Sequence, residues 1–226
     1  MKSLFLLAIL ITLPFNIQSY RTYSTNFALV ESPISEGGNW INGSTEGLDW
    51  GYVSTTPGQT HTHPGTAQYA DATAILTGTW GSDQMAQATV GSTVNACISD
   101  NCYPEVEVRL RSTLSAHVCN GYEIAFSLLP NNRACLIIVR WNGPLADFTY
   151  LFNQTDSKYG AKTGDVIRGT VVGNVISAYK NGVLMGQVSD GTYKSGNPGM
   201  GFNEQSSNGD YGYSSFTASD DPSNWK

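Results

Sequence analysis

Short runs of alternating or β-branched residues, each ended by a turn signal, recur along most of this chain, and they constrain its fold more than any other feature. Val172-Gly173-Asn174-Val175 and Lys180-Asn181-Gly182-Val183 are two-residue turns set between β-branched runs. Asn-Gly suits such a turn because both central residues need positive φ. Trp141-Asn142-Gly143-Pro144 reads as a third turn, with Pro144 barring further ladder pairing. Twelve strand-like segments follow from this reading: 48–54, 68–76, 84–90, 105–111, 122–129, 134–141, 148–153, 166–172, 175–180, 184–189, 199–203 and 211–218. No segment keeps a helical period over ten residues. Residues 31–47 and 54–66, rich in Gly, Ser, Thr and Pro, read as loops. The expectation is an all-β, antiparallel two-sheet sandwich.

Periodicity separates two kinds of strand. In Glu105-Val-Glu-Val-Arg-Leu-Arg111, Val106, Val108 and Leu110 share one face, and Glu105, Glu107, Arg109 and Arg111 share the other. That predicts one buried and one polar face. Ala134-Cys-Leu-Ile-Ile-Val139 is continuously apolar and predicts a central strand covered on both sides.

The N-terminus resembles an export signal: Lys2, an apolar run from Leu4 to Phe15, and a polar end that places cleavage after Ser19. The run is too short to span a bilayer, which needs ~20 apolar residues. A single domain over residues 20–226, secreted and not inserted in a membrane, is the expectation. Charged residues make up only 13% of the chain and the net charge is −6. With no Lys/Arg cluster, nucleic acid is excluded as a partner, and an acidic, neutral-polar surface suits uncharged glycans better than anionic ones.

An exported chain with four cysteines points to disulfides. Three connectivities exist for four cysteines, and a Cys97–Cys102 bridge would close a short polar loop. Register argues against Cys119–Cys135. A hairpin about Asn131-Asn132 sets Cys135 opposite Leu128, leaving Cys119 about nine residues away, ~30 Å at strand rise. One of these thiols could then be free.

A sequence-wide order also emerges: Asn26-Phe27, Gly37-Gly-Asn-Trp40, Val108-Arg-Leu-Arg-Ser112, Asn120-Gly-Tyr-Glu-Ile124, Ile138-Val-Arg-Trp-Asn-Gly-Pro-Leu145, Gly164-Asp-Val-Ile-Arg168, the double hairpin 172–183, Ser195-Gly-Asn-Pro-Gly-Met-Gly-Phe202, and a closing strand at 210–217. Across Asn26–Asp220 this resembles the concanavalin A-like lectin/glucanase superfamily, in its laminin-G-like jelly-roll branch. The resemblance implies two packed antiparallel sheets, one of them concave, with ligands on that face or its rim. It implies no single activity, since the superfamily holds lectins, adhesion modules, glucanases and lyases.

A retaining glucanase of this kind carries Glu-x-Asp-x-x-Glu on one strand. Glu105-x-Glu107 has the parity, but Arg109 and Arg111 follow where an acid is wanted. A solvated ion-pair face is the plainer reading. Gln59-Thr60-His61 is similar to the Gln-x-His of related lyases, yet it lies in a Thr/Pro/Gly loop. His61 and His63 offer two ligands of the three or four a metal needs. Calcium is common in the superfamily and remains a candidate ion, with Asp147, Asp156, Asp210 and Asp220-Asp221 as oxygen donors.

For binding, the supply of aromatics is generous, with five Trp and twelve Tyr. Trp50 and Tyr52 share a face if both lie in one strand, and Trp141 ends a strand with Tyr150 and Phe152 across the hairpin. Packing in the core is the plainer use of such residues. Asn42 and Asn153 head glycosylation sequons. Three functions stay open. A carbohydrate-binding or adhesive module, partnered by a glycan or a cell-surface or matrix component, predicts an accessible aromatic cluster and no close carboxylate pair. A glycoside hydrolase or lyase predicts Glu105, Glu107 or the Arg109/Arg111 face lining a cleft with His or Tyr in reach. A structural matrix protein predicts an exposed apolar patch.

Overall fold

The computed structural model describes residues 19–93, 103–129, 131–203 and 211–225. Two antiparallel sheets pack face to face. The six-stranded sheet runs β1 (Thr22–Thr25), β15 (Tyr213–Ser219), β6 (Gln84–Val90), β11 (Val166–Val172), β12 (Val175–Lys180), β13 (Val183–Ser189). The seven-stranded sheet runs β10 (Phe148–Thr155), β9 (Cys135–Gly143), β8 (Val118–Ser127), β7 (Glu105–Ser115), β14 (Asn197–Asn203), β5 (Ala72–Leu76), β2 (Trp40–Asn42). A separate hairpin joins β3 (Tyr52–Thr56) to β4 (Gln59–His63).

Alternation decides what each face does. Val106, Val108 and Leu110 of β7 enter the core with Ile124 and Phe126 of β8 and Leu136 and Ile138 of β9. Ile167, Val171, Ile176 and Phe216 meet them from the six-stranded sheet. At ~25 cal/mol per Å² of apolar surface removed from water, this layer dominates the stability of the sandwich. The β12–β13 hairpin forms as its turn chemistry dictates, with Asn181 and Gly182 both at positive φ (52° and 77°), whereas Asn142 and Gly143 of the expected third turn are paired residues of β9 and the chain turns at 144–147. Among the described residues no helix is long and apolar enough to cross a membrane.

Three strands lie outside the expected set: β1 precedes its first segment, β4 falls in the expected 54–66 loop, and β2 in the expected 31–47 loop. β4 reads Gln-Thr-His-Thr-His, and its inward residues are Thr60 and Thr62, both buried. Thr60 Oγ1 accepts the Tyr213 backbone N–H at 2.7 Å, so a hydrogen bond holds this strand to the sandwich where an apolar contact would be expected. β9 is also not covered on both sides. Leu136 and Ile138 face the core, while Ile137 and Val139 line an open pocket on the outer face.

Candidate functional site

On β7 the charged residues do leave the core, but they are not solvated. Glu105, Glu107 and Arg109 are buried, at 6%, 0% and 1% exposure, on the outer face of the seven-stranded sheet. The expected solvated ion-pair face is therefore corrected: the strand is central, and its neighbours supply the lid. Register explains the cluster. Arg109 lies opposite Glu123 of β8, and Glu107 lies opposite Gly201 of β14. With no side chain at Gly201, Asp71, just before β5, reaches across. A Cβ at Gly201 would stand 2.3 Å from Glu107 Oε2 and 2.9 Å from Arg109 Nε.

Arg109 Nη2 meets three carboxylates at once: Glu107 Oε2 at 2.6 Å, Glu123 Oε2 at 3.1 Å and Asp71 Oδ2 at 3.2 Å. Trp141 adds an indole N–H to the same Glu123 Oε2 at 2.6 Å, and its ring lies 5.5 Å from the Arg109 guanidinium. Burial lifts the carboxyls of Asp71 and Glu107 well above the usual range, and the Glu123 charge adds to it, against the pull of Arg109. Burial works against charge on Arg109 too, but Glu123, Glu107 and Asp71 together hold it protonated. Glu107 Oε1 and Arg109 Nε and Nη1 are buried with no hydrogen-bond partner among the described residues.

Glu105 stands further along β7. It accepts from Asn203 Nδ2 at 3.4 Å and from Cys135 Sγ at 3.7 Å. Burial, reinforced by the Glu123 charge, pushes its pKa to about 7. Glu105, Glu123 and Asp71 open onto a pocket of about 430 Å³, walled by Trp141, Phe148 and Tyr150 with Cys135 and Val139 beside them. The rings pack about Phe148, tilted against Trp141 with centroids 5.4 Å apart and edge-to-face with Tyr150 at 5.3 Å and Tyr69 at 5.2 Å.

The other expected site residues are placed as follows. Arg111 does not share the Glu105 face. A bulge after Leu110 and a positive φ of 48° turn it away, and its guanidinium donates to the carbonyls of Ser82, Tyr193 and Gly173. Trp141 lies opposite Phe148, not Tyr150 or Phe152; Tyr150 lies opposite Val139 and is exposed. Trp50 precedes β3 and is buried edge-on to Trp141, 6.1 Å between centroids. Tyr52 stacks on His63 in the β3–β4 hairpin, 4.4 Å apart. His61 and His63 bond Thr56 and Ser54 respectively. The carboxylates of Asp147, Asp156, Asp220 and Asp221 accept from neighbouring loop groups; Asp210 lies outside the described residues. Asn42 is buried, donating to the Ile34 carbonyl and accepting from Val53, whereas Asn153 is exposed at the pocket rim.

Cys119 and Cys135 are both free thiols, where the register reading argued against a bridge between them and expected that one could be free. The register itself differs by one: Phe126 faces Leu136, so Cys135 comes opposite Ser127 and not Leu128. Cys97 and Cys102 lie outside the described residues.

Oxygens of Asp71, Glu107 and Glu123 lie within 4.8 Å of one another, the grouping a metal ion would want. The Arg109 Nη2 already occupies the centre of that triangle, so the guanidinium fills the role of the cation. The close carboxylates that a binding module was expected to lack are present, and the face is a pocket with tyrosines in reach.

No protein-family model matches the sequence, and no curated protein matches it either. Solved structures do. The carbohydrate recognition domain of Emp46p in its potassium-bound form aligns with a TM-score of 0.57 at 13% identity, over 88% of this chain and 96% of that one. The carbohydrate-binding module CBM66 from Bacillus subtilis aligns at 0.50 with 12% identity, over 80% and 91%. A Bacillus licheniformis β-glucanase aligns at 0.50 with 11% identity, over 88% and 95%. The chain has the concanavalin A-like lectin/glucanase fold. That fold serves carbohydrate-binding modules, lectins and glycoside hydrolases alike.

Proposed function

We propose that this protein is a secreted glycan-binding module of the laminin-G-like branch, exported by the segment ending at Ser19, whose ligand sits in the outer-face pocket of the seven-stranded sheet. The carrying observation is the meeting of buried carboxylates and an aromatic row in one opening of about 430 Å³. Carboxylate oxygens accept hydrogen bonds from sugar hydroxyls, and the rings of Phe148 and Tyr150, backed by the buried Trp141, offer faces and edges to the apolar side of a pyranose. Arg109 fixes Glu123 through one oxygen, which leaves the other to a ligand. The solved structures of similar fold that carry carbohydrate-recognition names agree with this reading. A glycan array with residues 20–226, run with and without calcium, tests it. Binding to one glycan class that is lost in Tyr150→Ala supports the reading, and silence across the array moves weight to protein adhesion or matrix assembly.

One observation favours hydrolysis as a second reading. The acid missing from the Glu105-x-Glu107 strand is supplied by Glu123 from the adjacent strand, opposite Arg109. Glu105, with a pKa of about 7, has the protonation a general acid needs, and Glu123 would serve as base or nucleophile. Release of reducing ends from a bound glycan, abolished in Glu105→Gln, would establish it.

A further inference from the structure

Carboxyl groups around the pocket outnumber the basic groups that could pair with them. Asp71, Glu107 and Glu123 share the single guanidinium of Arg109, and the hydrogen-bond partners of Glu105 among the described residues are a thiol and an amide. Arg140 of the neighbouring strand is committed to Asp190 at 2.7 Å and does not line the pocket. Arg133 lies at the exposed mouth, and counting it still leaves carboxylates in excess of cations. In a partly dry site such an excess either takes up protons or draws in positive charge. With the pocket empty these carboxyls hold protons, and an ammonium group entering from the open side takes the place of those protons.

The buried position for a cation is taken by Arg109, so further positive charge has to come from the open side, where Asp71, Glu105 and Glu123 face the pocket. Aromatic rings flank that position, and their faces attract a cation as well as the apolar side of a sugar. A ligand satisfying both walls carries a pyranose ring and an ammonium group together. Anionic sugars meet repulsion there.

We propose that the pocket selects amino sugars with a free amine: the ring stacks along Phe148 and Tyr150, and the ammonium lies among Glu105, Asp71 and Glu123. The inference rests on the glycan-binding reading and narrows it to one substrate class. A charge-assisted contact of this kind exceeds a neutral hydrogen bond by enough to show as selectivity of roughly tenfold or more.

The experiment compares three β-1,4-linked oligosaccharides of equal length by calorimetry, slightly below neutral pH: glucosamine, N-acetylglucosamine and glucose oligomers. They differ at the 2-position alone, as ammonium, acetamide and hydroxyl. Tighter binding of the glucosamine oligomer by roughly tenfold or more, shrinking as salt is added and narrowed in Glu105→Gln, is the expected result. Equal or tighter binding of either neutral oligomer overturns the amino-sugar inference while leaving the glycan-binding reading intact. Binding of none of the three also overturns it, and the neutral glycans of the array then decide the broader reading separately. The wild-type ranking stands whether or not the variant folds.

Discussion

Trp141 donates its indole N–H to Glu123 Oε2 at 2.6 Å, the same oxygen that Arg109 holds at 3.1 Å. One oxygen thus takes a hydrogen bond from Trp141 and an ion-pair contact from Arg109 in a buried setting, and Trp141 serves both as a pocket wall and as a support for the acid. Trp141→Phe keeps an aromatic ring and removes the donor. The expected cost is about 1.5–3 kcal/mol, the range for a hydrogen bond to a charged group. Urea denaturation at neutral pH measures it, and an unchanged midpoint would show that the bond contributes nothing net.

Removing Arg109 should do more. Arg109→Met leaves Asp71, Glu107 and Glu123 facing one another with no positive partner. Breaking a buried ion pair from one side costs about 3–5 kcal/mol, because the remaining charge stays buried. The variant should recover stability as pH falls, since protonated carboxyls need no counter-charge. Thermal unfolding of the variant and the parent from neutral to acid pH reads this. A deficit constant across that range would mean that lost packing, not charge, is responsible.

Much of this fold was legible in the sequence, and the reasons are local. The turns at 173–174 and 181–182 carry their own chemistry, and the parity of Val106, Val108 and Leu110 is a two-residue rule. The site was legible only in part. Glu105, Glu107 and Arg109 stand out by spacing, but their burial depends on Asp71 and Glu123, which are distant in sequence and meet them only through strand order. Glu123 sits between Tyr122 and Ile124 with nothing local to mark it. Gly199-x-Gly201 was the available clue, because alternate glycines on one strand leave space on one face for larger neighbours. Arg111 was misplaced because a bulge breaks the parity rule, and a bulge leaves no dependable trace in sequence.

Glu105 gives the site a pH dependence whose sign is fixed. Its folded pKa of about 7 lies above the ordinary 4.5. Between those values the folded state holds more protons than the unfolded one, so its contribution to stability is complete below about pH 4.5 and declines as pH rises to about 7. The groups facing it are Cys135, Asn203, Glu123, Asp71 and Arg109. Glu105→Gln mimics the protonated form. Its stability relative to the parent should be near zero at the acid end of the window and rise toward neutral, by about 3 kcal/mol at most. Urea titrations of both proteins across the window test this, and a difference that does not change with pH would place the titration elsewhere.

Gly201 offers the sharpest test of how the cluster is packed. Its missing side chain is what lets Glu107, Arg109 and Asp71 converge, and a methyl there would lie 2.3 Å from Glu107 Oε2 and 2.9 Å from Arg109 Nε. Neither side chain can withdraw freely, because both are buried and Arg109 Nη2 ties them in one ion pair. Gly201→Ala should therefore destabilise by about 1–3 kcal/mol through overpacking, and disturb ligand binding by displacing Glu123 with Arg109. Gly169→Ala is the comparison. Its methyl would meet Ile124 Cδ1 at 2.9 Å and Val108 Cγ2 at 3.0 Å, side-chain ends inside the apolar core and away from the pocket. Both variants should lose stability on denaturation, and Gly201→Ala alone should lose glycan affinity. Equal losses of affinity would show that the pocket depends on the sandwich as a whole and not on the geometry about Arg109.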